Sequence, residues 1–165
     1  MQQPPQSIDF RSAPIEGLIV RRVSRFSDHR GWLIELFRHD ELDSEHWPVM
    51  AYASETIPGA ARGPHVHSRQ SDYFAFLGPG EFRFYAWDTR PESPSYACRV
   101  TVEAGQSSPC VLIVPSGVVH AYRNVSSVPG LVFNAPNQLY AGPGRQEPVD
   151  EIRLEELPNS PYILD

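Results

Sequence analysis

The chain has 165 residues, enough for one domain with a hydrophobic core and too few for two of ordinary size. Its formal net charge is −6, and this acidic balance argues against nonspecific binding to nucleic acid, which needs a basic surface. No apolar stretch approaches the ~20 residues that span a bilayer, and the first residues do not have the charged-then-apolar pattern of a signal peptide. We therefore expect one soluble, cytoplasmic domain over residues 1–165 that acts on a small molecule, with no nucleic-acid or membrane partner.

All 14 basic residues are arginine, so the chain contains no lysine. No lysine can therefore serve as a base, a Schiff-base nucleophile or a phosphate ligand. A cationic contact to a ligand must come from arginine, whose planar guanidinium suits bidentate recognition of phosphate. Cys98 and Cys110 are the two cysteines, and we interpret both as reduced structural residues.

Residues 1–14 are polar and rich in proline, and they predict a loose N-terminal arm. From Ile15 onward, short apolar segments recur at about one strand per 8–12 residues, separated by turns rich in glycine and proline. The predicted strands are 18–23, 32–37, 51–57, 73–77, 81–87, 97–103, 111–114, 121–124 and 131–134. A short helix is predicted over 41–46, and 150–157 fits either a terminal helix or an edge strand. The pattern predicts an all-β antiparallel sandwich or barrel with few short helices.

The segment from Pro115 to Asn124 reads P-x-G-x-x-H-x-x-x-N. Its proline and glycine predict a tight turn between two strands, and this turn directs His120 into the mouth of the barrel. A second segment, Gly63 to His67, contains H-x-H. The two segments resemble the two motifs of the cupin superfamily, whose fold is a double-stranded β-helix, or jelly-roll barrel. The glutamate that the first motif usually carries is missing, and Gln70 or Asp72 lies nearest to its place.

The H-x-H spacing brings His65 and His67 to the same face if they lie on a strand, because residues i and i+2 of a strand point the same way. Together with His120 they would form a three-histidine metal site with an open position. Alternatively, the histidines work without metal as proton-transfer groups. The residues alone leave both alternatives open.

Four segments in order resemble the dTDP-4-dehydrorhamnose 3,5-epimerase family of nucleotide-sugar cupins. Residues 26–37 read F-x-D-x-R-G-x-x-x-E-x-F, and residues 61–65 read A-R-G-P-H. Residues 87–90 read W-D-T-R, and the P-x-G-x-x-H turn comes last. The resemblance covers about two thirds of the chain, from Phe26 to Tyr140.

This resemblance implies a role for several residues. Arg30 and Glu35 match the strand that family members lend to the nucleotide pocket of a neighbouring subunit, which implies a homodimer. Arg62 matches the arginine that binds the diphosphate, and His65 matches the histidine that removes the proton next to the keto group. His120 matches a substrate-binding histidine of the pocket.

The sequence also departs from the family pattern. We place Phe133 at the position of the family's phenolic acid, and phenylalanine cannot donate a proton. The family's pocket lysine is absent, and Tyr73 falls nearest to it. We therefore name Tyr73 as a third catalytic candidate beside His65 and His67, and Tyr140 as a substrate-binding residue. The distal carboxylate that supports the base has no match in the C-terminal tail.

The segment Arg62 to His67 reads R-G-x-H-x-H and resembles the related sugar 3,4-ketoisomerases. Epimerisation needs acid and base groups on opposite faces of the sugar, whereas ketoisomerisation can use groups on one face. We therefore expect an isomerase of a 4-keto-6-deoxy nucleotide (dTDP) sugar, either an epimerase at C3 or C5 or a 3,4-ketoisomerase, that works without a cofactor. The alternatives are a metal-dependent cupin that binds a divalent metal through His65, His67 and His120, and a non-catalytic cupin that binds a sugar or another ligand.

Overall fold

The computed structural model describes residues 8–165, which form two facing β-sheets. The strands are β1 (Arg11–Ser12), β2 (Ile19–Arg22), β3 (Phe26–Asp28), β4 (Gly31–Leu33), β5 (Tyr52–Thr56), β6 (Ala61–Val66), β7 (Asp72–Phe76), β8 (Glu81–Asp88), β9 (Cys98–Gly105), β10 (Cys110–Val114), β11 (Val118–Asn124), β12 (Gly130–Asn134) and β13 (Ile152–Arg153). One sheet has six strands in the order β1-β9-β8-β11-β6-β13, and the other has five in the order β2-β10-β7-β12-β5. The all-β jelly-roll prediction is confirmed.

Helical structure in the described part of the chain is limited to two 3-10 turns, Ser44–His46 and Pro143–Arg145. The predicted helix over 41–46 is thus a single 3-10 turn, and the segment 150–157 contributes the edge strand β13. No helix of residues 8–165 is long and apolar enough to cross a membrane.

Part of the predicted N-terminal arm contacts the barrel. Residues 1–7 lie outside the described residues. Arg11 and Ser12 pair in parallel with β9 as strand β1, and the ring of Phe10 packs against Tyr162 at 5.9 Å.

The hydrophobic core fills the space between the two sheets. Inward-facing side chains alternate along each strand, as the two-residue period of a β-strand requires. The core is rich in aromatic rings, which bury large apolar areas. Its largest members are Phe74, Phe76, Phe82, Phe84, Leu112 and Tyr122.

The turn after β8 is held by one buried carboxylate. Asp88 is 0% exposed and accepts hydrogen bonds from the Arg90 guanidinium and from the hydroxyls of Ser93 and Ser95. Burial disfavours the charged form, but these donors outweigh it and hold the pKa of Asp88 well below its usual range. The W-D-T-R segment therefore stabilises the barrel.

Strands β3 and β4 form a separate hairpin that pairs with no other strand among residues 8–165. Its apolar side chains face solvent: Phe26, Trp32 and Leu33 are 66%, 53% and 63% exposed. The predicted strand over 32–37 ends at Leu33, and Leu36 and Phe37 pack instead against the five-stranded sheet.

Candidate active site

A cavity of about 920 Å³ opens at one end of the barrel. Its wall contains residues of β5, β6 and β11, and the segment between β12 and β13 closes one side. Of the residues singled out from the sequence, Arg62, His65, His67 and Tyr140 line the cavity. His120 lies directly behind His65, with ring centroids 4.3 Å apart, and is 2% exposed.

The backbone of β6 sets the position of His65. His65 pairs with His120 of β11, and Arg62 pairs with Tyr122, so the two residues Gly63 and Pro64 stand opposite a single residue and form a β-bulge. Gly63 has φ +80, and a Cβ there would lie 2.6 Å from the His120 carbonyl oxygen and 2.9 Å from Nδ1 of His65. Only glycine fits this close approach of β6 to β11.

Two of the three histidines are fixed through their Nδ1 atoms. His120 donates from Nδ1 to the Val118 carbonyl at 3.0 Å, and His67 donates from Nδ1 to the Asp150 carbonyl. Because a carbonyl can only accept, Nδ1 carries a proton in both rings. The Nε2 atoms of both rings point toward Asp72, each 3.1 Å from its Oδ2.

Asp72 is the buried centre of the cluster, at 1% exposure. Its Oδ1 accepts hydrogen bonds from the side-chain amides of Gln70 at 2.8 Å and Asn134 at 2.9 Å. These bonds turn Oδ2 toward the imidazoles. The buried Oδ2 lies within ion-pair distance of Nε2 of both His67 and His120, so a ring that carries a proton on Nε2 forms an imidazolium–carboxylate pair with Asp72.

The charges of this cluster are coupled. Burial opposes the charged form of Asp72, but contact with His120 and His67 outweighs burial and holds the pKa of Asp72 well below its ordinary value. Burial likewise opposes the charged form of His67, but the adjacent Asp72 raises the pKa of His67. Asp72 is therefore a carboxylate at neutral pH.

His65 differs from the other two histidines. Its ring lines the cavity and meets the rings of His67 and His120 edge-on, at centroid distances of 5.3 Å and 4.3 Å. Burial, followed by the charges of His120 and His67, lowers the pKa of His65 to about 2. His65 is therefore neutral at pH 7 and a weak base in the empty cavity, and negative charge that develops on a bound molecule beside it would raise its pKa.

The structure corrects the placement of Tyr73. Along β7, Asp72 and Phe74 point inward, so Tyr73 between them points to the outer face of the five-stranded sheet. There its hydroxyl donates to the Leu36 carbonyl at 2.6 Å, and Tyr73 is absent from the cavity wall. Tyr73 therefore does not line this cavity, and the inward residues beside it on the strand are Asp72 and Phe74.

The same alternation corrects the placement of Phe133. Val132 lies in the core, and Phe133 packs on the outer face of the sheet with Tyr73. The inward residue beside the cavity is Asn134, which bonds to Asp72. The side chain of this strand that reaches the Asp72 cluster is thus Asn134, and the match of Phe133 to the family's phenolic acid stays a prediction.

Sequence reasoning missed Tyr52, which lies on β5 directly opposite Asn134. Its hydroxyl accepts a hydrogen bond from the Asn134 amide at 2.8 Å and lines the cavity. Burial, together with the charge of Asp72, raises the pKa of Tyr52 to about 12, so the phenol keeps its proton at neutral pH. The only available signal was an aromatic residue in a predicted strand, which does not distinguish a core residue from a pocket residue.

The arginines and Glu35 are divided between the cavity and the hairpin. Arg62 lines the cavity and donates to the Thr56 hydroxyl at 3.1 Å and the Glu55 carbonyl at 2.8 Å. Arg30 lies at the tip of the exposed hairpin, bonded to Asp28, and neither Arg30 nor Glu35 lines this chain's own cavity.

The C-terminal carboxylate does not take the place of the family's distal carboxylate. The side chain of Asp165 pairs with Arg99, so it is not placed to hydrogen-bond the imidazole of His65.

The donor atoms of His65, His67, Asp72 and His120 all lie within 4.8 Å of one another. Imidazole nitrogens with one carboxylate are a common ligand set for divalent transition metals. The cluster combines the three histidines of the sequence-based metal alternative with Asp72, one of the two residues predicted to lie nearest to the place of the missing cupin glutamate.

Comparison with known proteins agrees with the resemblance. A family profile described as dTDP-4-dehydrorhamnose 3,5-epimerase matches residues 12–146. The chain is 31% identical over 115 residues to the spore coat polysaccharide biosynthesis protein SpsL of Bacillus subtilis, covering 70% of this chain and 75% of that protein. It is 32% identical over 127 residues to a probable low-salt glycan biosynthesis epimerase, Agl13, of Haloferax volcanii, covering 76% and 81%.

Solved structures share the fold. A dTDP sugar isomerase from Desulfovibrio desulfuricans G20 superposes with a TM-score of 0.77 at 22% identity, covering 90% of this chain and 91% of that one. The epimerase RmlC from Legionella pneumophila, solved in complex with dTDP-4-keto-L-rhamnose, gives a TM-score of 0.72 at 21% identity, covering 88% and 77%.

Proposed function

The chain belongs to the dTDP-4-dehydrorhamnose 3,5-epimerase family, and we propose that it inverts a carbon next to the keto group of a dTDP-4-keto-6-deoxy sugar. We prefer epimerisation to 3,4-ketoisomerisation because of one observation. His65 on the six-stranded sheet and Tyr52 on the five-stranded sheet line one cavity from its two walls. A base and an acid on opposite walls are what inversion at carbon requires.

In this proposal His65 takes the proton from the carbon beside the keto group. The electrons of the C–H bond form a C=C bond, and the carbonyl becomes an enolate. Tyr52 then donates its phenolic proton to the opposite face of the same carbon, and the carbonyl re-forms. Because the Tyr52 oxygen accepts from Asn134, its own O–H is free to point to the sugar. Solvent finally returns a proton to the phenolate and removes one from His65.

Arginines in the cavity wall supply contacts for the diphosphate. Arg62, Arg69 and Arg153 line the cavity. Charge-assisted hydrogen bonds from guanidinium to phosphate are strong and directional, so this wall suits the nucleotide part of the substrate. The bonds from Arg62 to Thr56 and Glu55 hold its side chain in place before a ligand arrives.

The test of this function is proton exchange in deuterated water. Wild-type protein mixed with dTDP-4-keto-6-deoxyglucose is expected to incorporate deuterium at C3 or C5 and to form the inverted sugar, both seen by NMR. Movement of the keto group to C3 would instead identify a 3,4-ketoisomerase. Binding of the sugar without exchange would identify a non-catalytic binding protein.

We also propose that the chain forms a homodimer through its separate hairpin. Exposed Trp32 and Leu33 are apolar surface that a two-fold partner would cover, and Arg30 and Glu35 lie on or beside the same hairpin. Sedimentation at micromolar concentration is expected to give a dimer for wild type and a monomer for Trp32→Asp/Leu33→Asp. The matched control is Ile163→Asp, an equally exposed apolar residue outside the hairpin, which should stay dimeric. A wild-type monomer would contradict the proposal.

A further inference from the structure

We infer that Asp150 is a positioning residue that sets the geometry of a loop on the cavity wall. This loop, residues 67–71, connects β6 to β7, and its residues His67, Arg69 and Gln70 line the cavity. The loop has no helical or strand structure, so hydrogen bonds from elsewhere must fix its backbone. The effect of Asp150 on the reaction rests on the epimerase proposed above.

The carboxylate of Asp150 accepts hydrogen bonds from three consecutive backbone N–H groups of this loop. Its Oδ1 accepts from Ser68 at 3.0 Å, and its Oδ2 accepts from Arg69 at 2.8 Å and from Gln70 at 2.9 Å. Successive N–H groups that converge on one point form a concave site for an anion, and hydrogen bonds to a charged acceptor are strong. One carboxylate therefore fixes the backbone direction of three residues.

The main chain of Asp150 orients the ring of His67. The Asp150 carbonyl accepts a hydrogen bond from Nδ1 of His67, and Nε2 on the other side of the ring lies 3.1 Å from Asp72 Oδ2. A hydrogen bond on one nitrogen of an imidazole determines how the other nitrogen is presented. Asp150 therefore holds the His67 ring as well as the backbone that follows it.

Asp150 can hold the loop because the barrel holds Asp150. It lies two residues before Ile152, the first residue of β13, which pairs with Val66 of β6. The next pair joins Arg153 to His65. The strand that carries the proposed base thus also fixes, through β13, the residue that positions the other groups of the cavity wall.

The loop presents two kinds of group to the substrate in the proposed reaction. Arg69 is one of the arginines assigned to the diphosphate, whereas His67 and Gln70 contact Asp72 beside the sugar. A displacement of about 1 Å in such groups can slow a reaction ~100-fold. Loss of the Asp150 carboxylate is therefore expected to weaken nucleotide binding and to slow proton exchange, although Asp150 does not act on the reacting carbon.

Hydrogen exchange measured by NMR on the full chain tests these contacts without any sugar. The amide protons of residues 68–70 and the Nδ1 proton of His67 are expected to be protected in the wild-type protein. In Asp150→Ala they should exchange at least ~10-fold faster, the change expected when a hydrogen bond to a charged group is lost. Asp150→Asn keeps one acceptor oxygen and should give an intermediate change.

Ser71 provides a control within the same loop. Its N–H donates to the side chain of Asn137 at 2.8 Å, so its exchange should stay slow in Asp150→Ala and become faster in Asn137→Ala. The matched control is Glu156→Ala, which removes an exposed carboxylate that does not line the cavity. Glu156→Ala should leave the exchange of all four amides at the wild-type rate.

The functional measurements are calorimetry with dTDP and the rate of deuterium entry into the keto-sugar. Asp150→Ala is expected to bind dTDP ~10-fold more weakly, the cost of losing about one charge-assisted contact, and to lower kcat for proton exchange by up to ~100-fold. Asp150→Asn should recover part of both losses, and Glu156→Ala should match wild type.

Slow amide exchange at residues 68–70 in Asp150→Ala would overturn the inference, and Asp150→Asn decides the same question if the alanine protein does not fold. Faster amide exchange with unchanged dTDP affinity and unchanged kcat would also overturn it, because Asp150 would then stabilise the loop without positioning any functional group. If the wild-type protein exchanges no sugar proton, the epimerase proposal fails. The amide exchange and dTDP affinity of the variants would still decide the role of Asp150.

Discussion

The His65→Asn protein is expected to exchange the sugar's C3 or C5 proton at least ~100-fold more slowly than wild type, the low end of the loss caused by removing a general base. The reason is that the His65 ring lines the cavity and its lowered pKa keeps it neutral at pH 7, so a lone pair is available to the sugar. Asparagine has a similar polar bulk but no basic nitrogen. NMR of the keto-sugar in deuterated water measures the rate.

A matched control separates loss of the base from a general disturbance. His39 stacks on Trp47 and does not line the cavity, so His39→Asn should exchange at the wild-type rate. Calorimetry with dTDP should give the same affinity for wild type and His65→Asn, because the diphosphate contacts are assigned to arginines. Exchange at the wild-type rate in His65→Asn would remove His65 as the base.

The Tyr52→Phe protein is expected to separate proton removal from inversion. His65 would still remove the proton and could return a deuteron to the same face, so deuterium should enter the sugar without a change of configuration. Formation of the inverted sugar should fall by ~100-fold or more, the loss typical of a missing general acid. The combined measurement is deuterium content by mass spectrometry and configuration by NMR coupling constants.

Tyr140→Phe provides the comparison for Tyr52→Phe, since Tyr140 also lines the cavity but is 55% exposed. Loss of the Tyr52 hydroxyl should cost ~1 kcal/mol of stability because the Asn134 amide loses one acceptor, and thermal melting checks that the fold survives. If inversion fails in Tyr140→Phe and persists in Tyr52→Phe, then the acid is Tyr140.

The features that could be predicted from sequence are those set by local geometry. The turn before His120 is specified by the proline and glycine that form it, and the strands around it were placed within a few residues. His65 and His67 both line the cavity, as their spacing predicted, because residues i and i+2 of a strand point to the same side. Strand β6 was not predicted, because Gly63 and Pro64 interrupt its apolar pattern.

The expected positions of Tyr73 and Phe133 differ from those in the structure for the same reason. Tyr73 and Phe133 are each one residue away from the side chain that faces the cavity, and one step along a strand reverses the face. Nothing local shows which face of β7 or β12 is the inner one. Tyr52 was missed for a different reason, because its role arises from pairing with Asn134 across a separation of 82 residues, which only the tertiary fold establishes.

The bulge in β6 decides which way Arg62 and His65 face. Arg62 and His65 are an odd number of residues apart, and in a regular strand they would face opposite ways. The extra residue opposite β11 lets both face the cavity, where one meets the phosphates and the other the sugar in the proposed complex. Deleting Gly63 or Pro64 would leave the two groups two residues apart, on the same face of a regular strand. A substitution such as Gly63→Val keeps the length but disfavours the bulge, because Gly63 has φ +80 and a Cβ there would lie 2.6 Å from the His120 carbonyl oxygen. If the strand became regular at that length, one of the two groups would turn out of the cavity, so phosphate binding and proton transfer both depend on this glycine.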